Sequence, residues 1–223
     1  MFKLSEKYSS SKLQTAVEEF AALPSLDLPR LAVRVSRAAE SAIRGGHPWV
    51  YSNSVSSVKG EEHTGQLAII FDKKNRFLAV GLYDSESPLR IRVLHVGKSM
   101  MIDRDFFDRR IEECIDRRKG FFDGTTTGHR WIHGESDNFP GLVVDRYSTT
   151  LVIKIYTAAW LPYLSTVVDL LRTKLSPESA VLRLSRNIME ACAEHGLADG
   201  QQLFGPTIDG PLIFQEDFLV NPL

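Results

Sequence analysis

Short strand-like segments between residue 31 and about residue 97 constrain the fold of this chain more than any other feature. In LAVRVSR, QLAIIFD, FLAVGLYD and LRIRVLHV, apolar residues either alternate with polar ones or run together for a few positions. Turn-forming sequences such as KKNR separate the segments. Several short strands within fewer than 70 residues predict a small β-barrel.

Strands and helices alternate in the second half of the chain. Asp103 can cap a helix that runs to about Gly120, and WLPYLSTVVDLLRTKL has the apolar spacing of an amphipathic helix. Strand-like segments such as GLVVDRY, TLVIKIY and AVLRLS lie around this second helix. The order predicts an α+β fold class, in which a small β-barrel is followed by a strand-helix-strand domain.

These patterns divide the chain into four parts. We expect an N-terminal extension (residues 1–30, with a short helix from Ser11 to Ala22), a barrel (31–97), a linking helix and loop (98–128) and an α+β domain (129–223). The barrel and the α+β domain should form separate cores, and the helix after Asp103 should bridge them. The chain ends directly after a strand candidate, which we expect of a fragment of a longer protein.

Charge and cysteine content exclude several classes of protein. The net charge is −1, but residues 1–131 carry 21 Lys and Arg against 17 Asp and Glu, whereas residues 132–223 carry 6 against 11. These nets of +4 and −5 predict two units with different surfaces. Two cysteines suggest neither a disulfide framework nor a zinc site. Because no secretory signal or apolar run of ~20 residues is present, we expect a cytoplasmic protein without a membrane helix.

The segment RGGHPWVYSNSV, from Arg44 to Val55, is hard to explain by packing alone. Two glycines allow a sharp bend and a close approach of the backbone to a ligand, and Pro48 keeps His47 extended. Trp49 and Tyr51 fall on the same side of the strand that follows. Two interpretations stay open for Trp49, which either fills the barrel or stacks on a ligand. Arg44 and His47 either contact phosphates or are simply exposed to solvent.

Four blocks of the chain occur in the order and spacing of a known family: GGHPWVYSNSV, GLYDSESPLRIRVL, FFDRRIEECIDRR and IHGESDNFPGLVVDRYSTTLVIKI. From about Leu31 to Leu223 the chain resembles the large-subunit ribosomal RNA cytosine-5 methyltransferases. Members of that family begin with a PUA domain, continue with an α+β middle domain and end with a catalytic domain that binds S-adenosylmethionine. The resemblance covers the first two domains and implies a role in ribosomal RNA processing.

The sequence lacks the residues that methyl transfer requires. An S-adenosylmethionine site of the Rossmann-like type needs a Gly-rich turn after a strand, and no G-x-G occurs in the 223 residues. Cys114 and Cys192 are expected to be small core residues rather than nucleophiles. We therefore predict no catalytic residue, cofactor site or metal site in this chain, which should be inactive alone. S-adenosylmethionine is expected in the absent catalytic domain.

The resemblance implies structured RNA, ribosomal RNA in particular, as the partner. Alternation in LRIRV places Arg90 and Arg92 on one face. Together with Arg44, His47 and Trp49, these arginines are predicted to lie at one mouth of the barrel and contact RNA, mainly through phosphates.

Other interpretations of the chain stay open. It could be a stand-alone RNA-binding or ribosome-associated protein without catalysis, or a protein-interaction scaffold. The polar groups of HGESD (His133, Glu135, Asp137) are predicted to cap a turn or face solvent, and DKKNR is predicted to be a solvated hairpin tip.

Overall fold

The computed structural model describes residues 28–122, 125–206, 210 and 213–214. The helix expected at Ser11 to Ala22 lies outside the described residues, as does most of the last strand candidate, LIFQEDFLV. Within the described part, the chain forms one six-stranded and one five-stranded sheet. Among the described strands, no pairing joins these two sheets.

Most of the first sheet is built from the four segments that predicted a barrel, and the strand Val55–Lys59 was not among them. It is curled into a half-barrel. Its strands are β1 (Leu31–Val35), β2 (Trp49–Val50), β3 (Val55–Lys59), β4 (Leu67–Phe71), β5 (Phe77–Tyr83) and β6 (Ile91–Val96). They are arranged in the order β2-β6-β5-β4-β1-β3. Strands β1 and β4 pair in parallel, and the other neighbours are antiparallel.

A helix that the sequence analysis did not predict, α1 (Arg37–Arg44), lies between β1 and β2. The Ser36 hydroxyl caps it by accepting a hydrogen bond from the Ala39 amide. Ile43 is buried in the barrel core. The helix stops at Gly45, and Gly46 follows with φ +89°, a conformation that favours glycine. The two glycines therefore end a helix.

The second sheet contains β7 (Gly128–His133), β8 (Leu142–Tyr147), β9 (Thr150–Ile155), β10 (Ser179–Leu184) and β11 (Gln202–Phe204). Its strand order is β11-β10-β9-β8-β7. The other described helices are α2 (Arg104–Arg118), α3 (Leu161–Leu175) and α4 (Met189–Ala193). Strands β9 and β10 are parallel and are connected through the amphipathic helix α3, which occupies the segment predicted to be helical. The predicted α+β fold class is confirmed.

Asp103 caps α2 as the sequence predicted, since its carboxylate accepts a hydrogen bond from the Phe106 amide at 3.0 Å. Phe106, Phe107 and Ile111 of this helix are buried against the second sheet and α3. None of the described helices is both long enough and apolar enough to cross a membrane.

The buried apolar residues form two clusters. The smaller cluster fills the barrel. The larger one joins α2, α3 and the second sheet, but it also takes in residues from the barrel strands: Leu67, Val80, Leu82 and Leu94. The cores are therefore less separate than the sequence predicted, because the other face of β4, β5 and β6 packs into the second core. The domain limits at residues 97 and 128 stay predictions.

Candidate nucleic-acid interface

Trp49 lies where the barrel meets the second sheet. Its backbone pairs with Arg92 of β6, and its half-buried indole donates a hydrogen bond from Nε1 to Glu135 Oε1 at 2.9 Å. Glu135 belongs to the 3-10 turn Gly134–Asp137 after β7. The exposed His47 ring meets the indole edge-on, with 5.9 Å between the ring centroids. Trp49 thus bridges the two sheets, a position that neither sequence interpretation anticipated.

A groove of about 370 Å³ opens beside this bridge. Trp49 and Tyr156 supply aromatic surface, and Arg130, His133 and Glu135 supply polar groups. Tyr156 is 40% exposed, and the Lys154 ammonium lies 4.9 Å from its ring centroid. Aromatic rings next to cations form the kind of platform on which unpaired bases stack.

Arg92, predicted to contact phosphate, is only 7% exposed. Its Nη1 lies 3.7 Å from Asp84 Oδ2 and donates to the Leu89 carbonyl at 3.3 Å. The side chain also packs on the backbone of Gly141, where an added Cβ would lie 3.1 Å from Arg92 Nε. In this conformation the guanidinium is held by Asp84 at the junction, where Arg92 forms part of the wall of the groove.

Asp84 is the acidic partner that keeps Arg92 in this buried position. Its carboxylate accepts hydrogen bonds from the amides of Glu86 and Ser87, which fix the turn after β5. It also accepts one from the Thr157 hydroxyl at 2.5 Å, across the junction. The sequence analysis missed Asp84, although an Asp followed by Ser-Glu-Ser is a recognisable turn signal.

Arg90 precedes β6 and stabilises the same turn. Its Nη1 donates to the backbone carbonyls of Asp84 and Ser85. Both predicted arginines of LRIRV therefore have partners within the protein, and their contact with RNA stays a prediction. Arg44, the last residue of α1, is half-exposed and pairs with Glu40 and Asp72 at 3.1 and 3.2 Å.

Asp137 has the structural role predicted for the HGESD segment. It is 4% exposed, accepts a hydrogen bond from the His133 amide and pairs with Arg117 and Arg118 at 3.0 and 2.5 Å. Glu135 has a different role from Asp137, because its carboxylate accepts the hydrogen bond from the Trp49 indole.

Both cysteines are core residues, as predicted: Cys114 is only 1% exposed, and Cys192 is fully buried. Burial raises the pKa of each thiol to about 11, so neither is a thiolate nucleophile at neutral pH. Among the described residues, no group of three or more His, Cys, Asp or Glu side chains is placed to hold a metal ion.

Trp49 can be tested by two substitutions. We expect Trp49→Phe to lose about 1 kcal/mol of unfolding free energy, since Glu135 loses its donor, and to keep most RNA affinity. Trp49→Ala should also weaken RNA binding by about 1–3 kcal/mol, because the stacking surface is gone. Urea denaturation and fluorescence anisotropy with a labelled RNA would measure the two effects. A folded Trp49→Ala variant with wild-type affinity would contradict a role for this ring in binding.

Comparison with known proteins identifies relatives over most of the chain. A family model described as a PUA-like domain matches residues 33–95. A ribosomal RNA large subunit methyltransferase from Deinococcus radiodurans is 47% identical over 201 residues, which are 88% of this chain and 49% of that protein. A ribosomal RNA large subunit methyltransferase I from Alteromonas mediterranea is 33% identical over 147 residues, 66% of this chain and 37% of that protein.

Solved structures show the same fold. A candidate SAM-dependent methyltransferase from Streptococcus mutans aligns with a TM-score of 0.66 and 16% identity, over 79% of this chain and 44% of that one. A second candidate methyltransferase, crystallised in complex with SAH, gives the same TM-score and identity over 80% and 43% of the two chains. The chain spans about half the length, or less, of the curated relatives it matches. It therefore carries a PUA-like domain and is homologous to ribosomal RNA large subunit methyltransferases.

Proposed function

We propose that this chain is the RNA-binding portion of an S-adenosylmethionine-dependent ribosomal RNA methyltransferase that modifies cytosine at position 5. The observation that carries the proposal is the 47% identity over 201 residues with the Deinococcus radiodurans protein. A match that covers 88% of the chain includes both the PUA-like barrel and the second sheet. The partner is structured ribosomal RNA.

Three hydrogen bonds across the junction support a preformed binding surface. The Trp49 indole donates to Glu135, the Thr157 hydroxyl donates to Asp84, and the Tyr163 hydroxyl donates to the Gly65 carbonyl. A groove held by such contacts can accept RNA without first ordering two mobile units, which reduces the entropic cost of binding. In this proposal an unpaired base enters the groove, and exposed cations contact the neighbouring phosphates.

The proposal assigns S-adenosylmethionine binding and methyl transfer to sequence other than these 223 residues. No G-x-G occurs in the chain, and both thiols are buried and protonated. RNA binding and methyl transfer can therefore be tested separately.

We expect the purified chain to bind structured ribosomal RNA fragments and to bind no S-adenosylmethionine. Anisotropy titrations at two salt concentrations would measure RNA binding. Isothermal calorimetry, together with a methyl-transfer assay, would measure S-adenosylmethionine binding and its use. A relative that includes the catalytic domain is the positive control for both assays. Micromolar S-adenosylmethionine affinity would overturn the assignment of the cofactor. No RNA binding by the folded chain at low salt would overturn the RNA proposal and favour a protein-interaction scaffold.

A further inference from the structure

Five cationic side chains that are dispersed in the sequence come together around the turn between β4 and β5. We call this group the turn cluster; its members are Arg34, Arg44, Lys73, Lys74 and Arg76. Arg34 donates to Asn75 Oδ1 at 2.7 Å, which ties β1 to the turn. Arg44 of α1 and Arg76 both reach Asp72 Oδ2, at 3.2 and 2.8 Å. The segment DKKNR, predicted to be a solvated hairpin tip, is thus joined to a strand and a helix.

Asp72 anchors the turn cluster. Its side chain is only 2% exposed, and its Oδ1 accepts hydrogen bonds from the amides of Lys74 and Arg76, both at 2.9 Å. The backbone hydrogen bond from Arg76, followed by its side-chain contacts, lowers the pKa of Asp72 to about 2, although burial opposes this shift. The carboxylate is therefore ionised at neutral pH and orients two guanidinium groups at the same time.

The guanidinium groups keep donors available after these contacts. Arg76 uses Nε and Nη2 toward Asp72, and Arg44 uses Nε and Nη2 toward Glu40 and Asp72. Each guanidinium carries five N–H donors, and the Nη1 groups take no part in the described contacts. The side chains of Arg44 and Arg76 are 48% and 66% exposed, so an external anion can reach both.

The turn cluster has a positive net charge, whereas the whole chain has a slightly negative one. Five cations minus two carboxylates, Glu40 and Asp72, give a net charge of +3, whereas the net charge of the chain is −1. Lys73 and Lys74 contact these carboxylates through backbone amides, and both residues are exposed. Exposed positive charges that lie around one turn, three of them held in place by the contacts of Arg34, Arg44 and Arg76, match the regularly spaced phosphates of a nucleic acid.

We propose that the turn cluster binds the phosphate backbone of RNA, as a contact in addition to the groove at Trp49. This inference rests on the proposed function; it keeps the phosphate contact predicted for Arg44 and adds Arg34, Lys73, Lys74 and Arg76 to it. Arg44 belongs to the turn cluster, and His47, at the edge of the junction, follows it by three residues. In this inference one RNA strand contacts the turn cluster through its phosphates while a base reaches Trp49.

The test is the salt dependence of RNA affinity for the triple variant Lys73→Gln, Lys74→Gln, Arg76→Gln. If each side chain neutralises one phosphate, the slope of log affinity against log salt should fall by about 2–3 units, and affinity at 100 mM salt should drop by about a hundredfold or more. The loss should be similar for RNAs of different sequence, because phosphates carry no sequence information.

Two control variants match the triple variant. The variant Arg109→Gln, Lys119→Gln, Arg186→Gln removes the same charge from exposed positions outside the barrel strands. The salt slope of its RNA affinity should equal that of the wild type. The variant Lys73→Arg, Lys74→Arg, Arg76→Lys keeps every charge of the turn and should retain binding. If the Gln triple variant does not fold, Lys73→Gln with Lys74→Gln leaves both guanidinium contacts to Asp72 intact and should still lower the slope by about two units.

The outcomes distinguish this inference from the function on which it rests. If the wild type binds RNA and the Gln triple variant has the same salt slope, the phosphate contact of the turn cluster is overturned and the proposed function is not affected. An equal loss in the Arg109, Lys119 and Arg186 control would also overturn it, because the effect would then follow total charge. Absence of wild-type binding at low salt would overturn the proposed function itself.

Discussion

Replacing Arg92 with alanine is expected to lower the free energy of unfolding by about 3–5 kcal/mol, as for a broken buried ion pair. Arg92 and Asp84 are 7% and 5% exposed, and 3.7 Å separates Nη1 from Oδ2. Without the guanidinium, the Asp84 carboxylate stays buried and loses its cation. The packing of Arg92 on Gly141 is lost as well. Chemical denaturation followed by circular dichroism would measure the change.

A double-mutant cycle separates the ion pair from packing. Asp84→Ala with Arg92→Ala should cost less than the sum of the single variants, because no unpaired charge is left. Arg109→Ala, an exposed arginine of α2, is the control and should change stability by no more than about 0.5 kcal/mol. A loss below about 1 kcal/mol for Arg92→Ala, together with a smaller salt slope for RNA binding, would instead support the phosphate contact predicted from the sequence.

Replacing Trp160 with alanine is expected to cost about 3–5 kcal/mol of unfolding free energy. The indole is fully buried and donates from Nε1 to the Pro140 carbonyl at 2.9 Å. The rings of Phe107, Phe139 and Tyr163 surround it, with centroid distances of 5.9, 6.0 and 6.4 Å. Truncation therefore leaves a large cavity where α2, α3 and the turn before β8 meet.

Trp160→Phe is the matched control for the cavity. It keeps an aromatic ring and loses the hydrogen bond to Pro140, so it should cost clearly less than Trp160→Ala. Since the larger core also contains Val80 and Leu82 of the barrel, we expect the wild type to unfold in a single cooperative transition. Two separate transitions, with only one of them shifted by Trp160→Ala, would show that the two sheets unfold independently.

Local patterns determined the main elements of the fold. The strands β1, β4, β5 and β6, the Asp103 cap and the amphipathic helix α3 were predictable, because side-chain periodicity and capping depend on residues a few positions apart. The strand β3 was not among the predicted segments. Helix α1 was missed because it has only eight residues, and Ile43 is its one large apolar side chain. Ser36 and the Gly45–Gly46 pair were readable signals of its two ends. From the sequence, these glycines were interpreted as part of a ligand-binding loop instead.

The role of each candidate site residue was decided by tertiary structure. Alternation showed that Arg92 has a defined face, but strand periodicity does not say which other segment covers that face. The contacts that cover or fix the junction join residues far apart in the chain, such as Asp84 with Thr157, 73 positions apart, and Trp49 with Glu135, 86 positions apart. The turn cluster has the same origin, since Arg34, Arg44 and Arg76 meet only when β1, α1 and the β4–β5 turn pack together. Partner choice at such distances depends on how the sheets pack, and local sequence patterns carry no information about that packing.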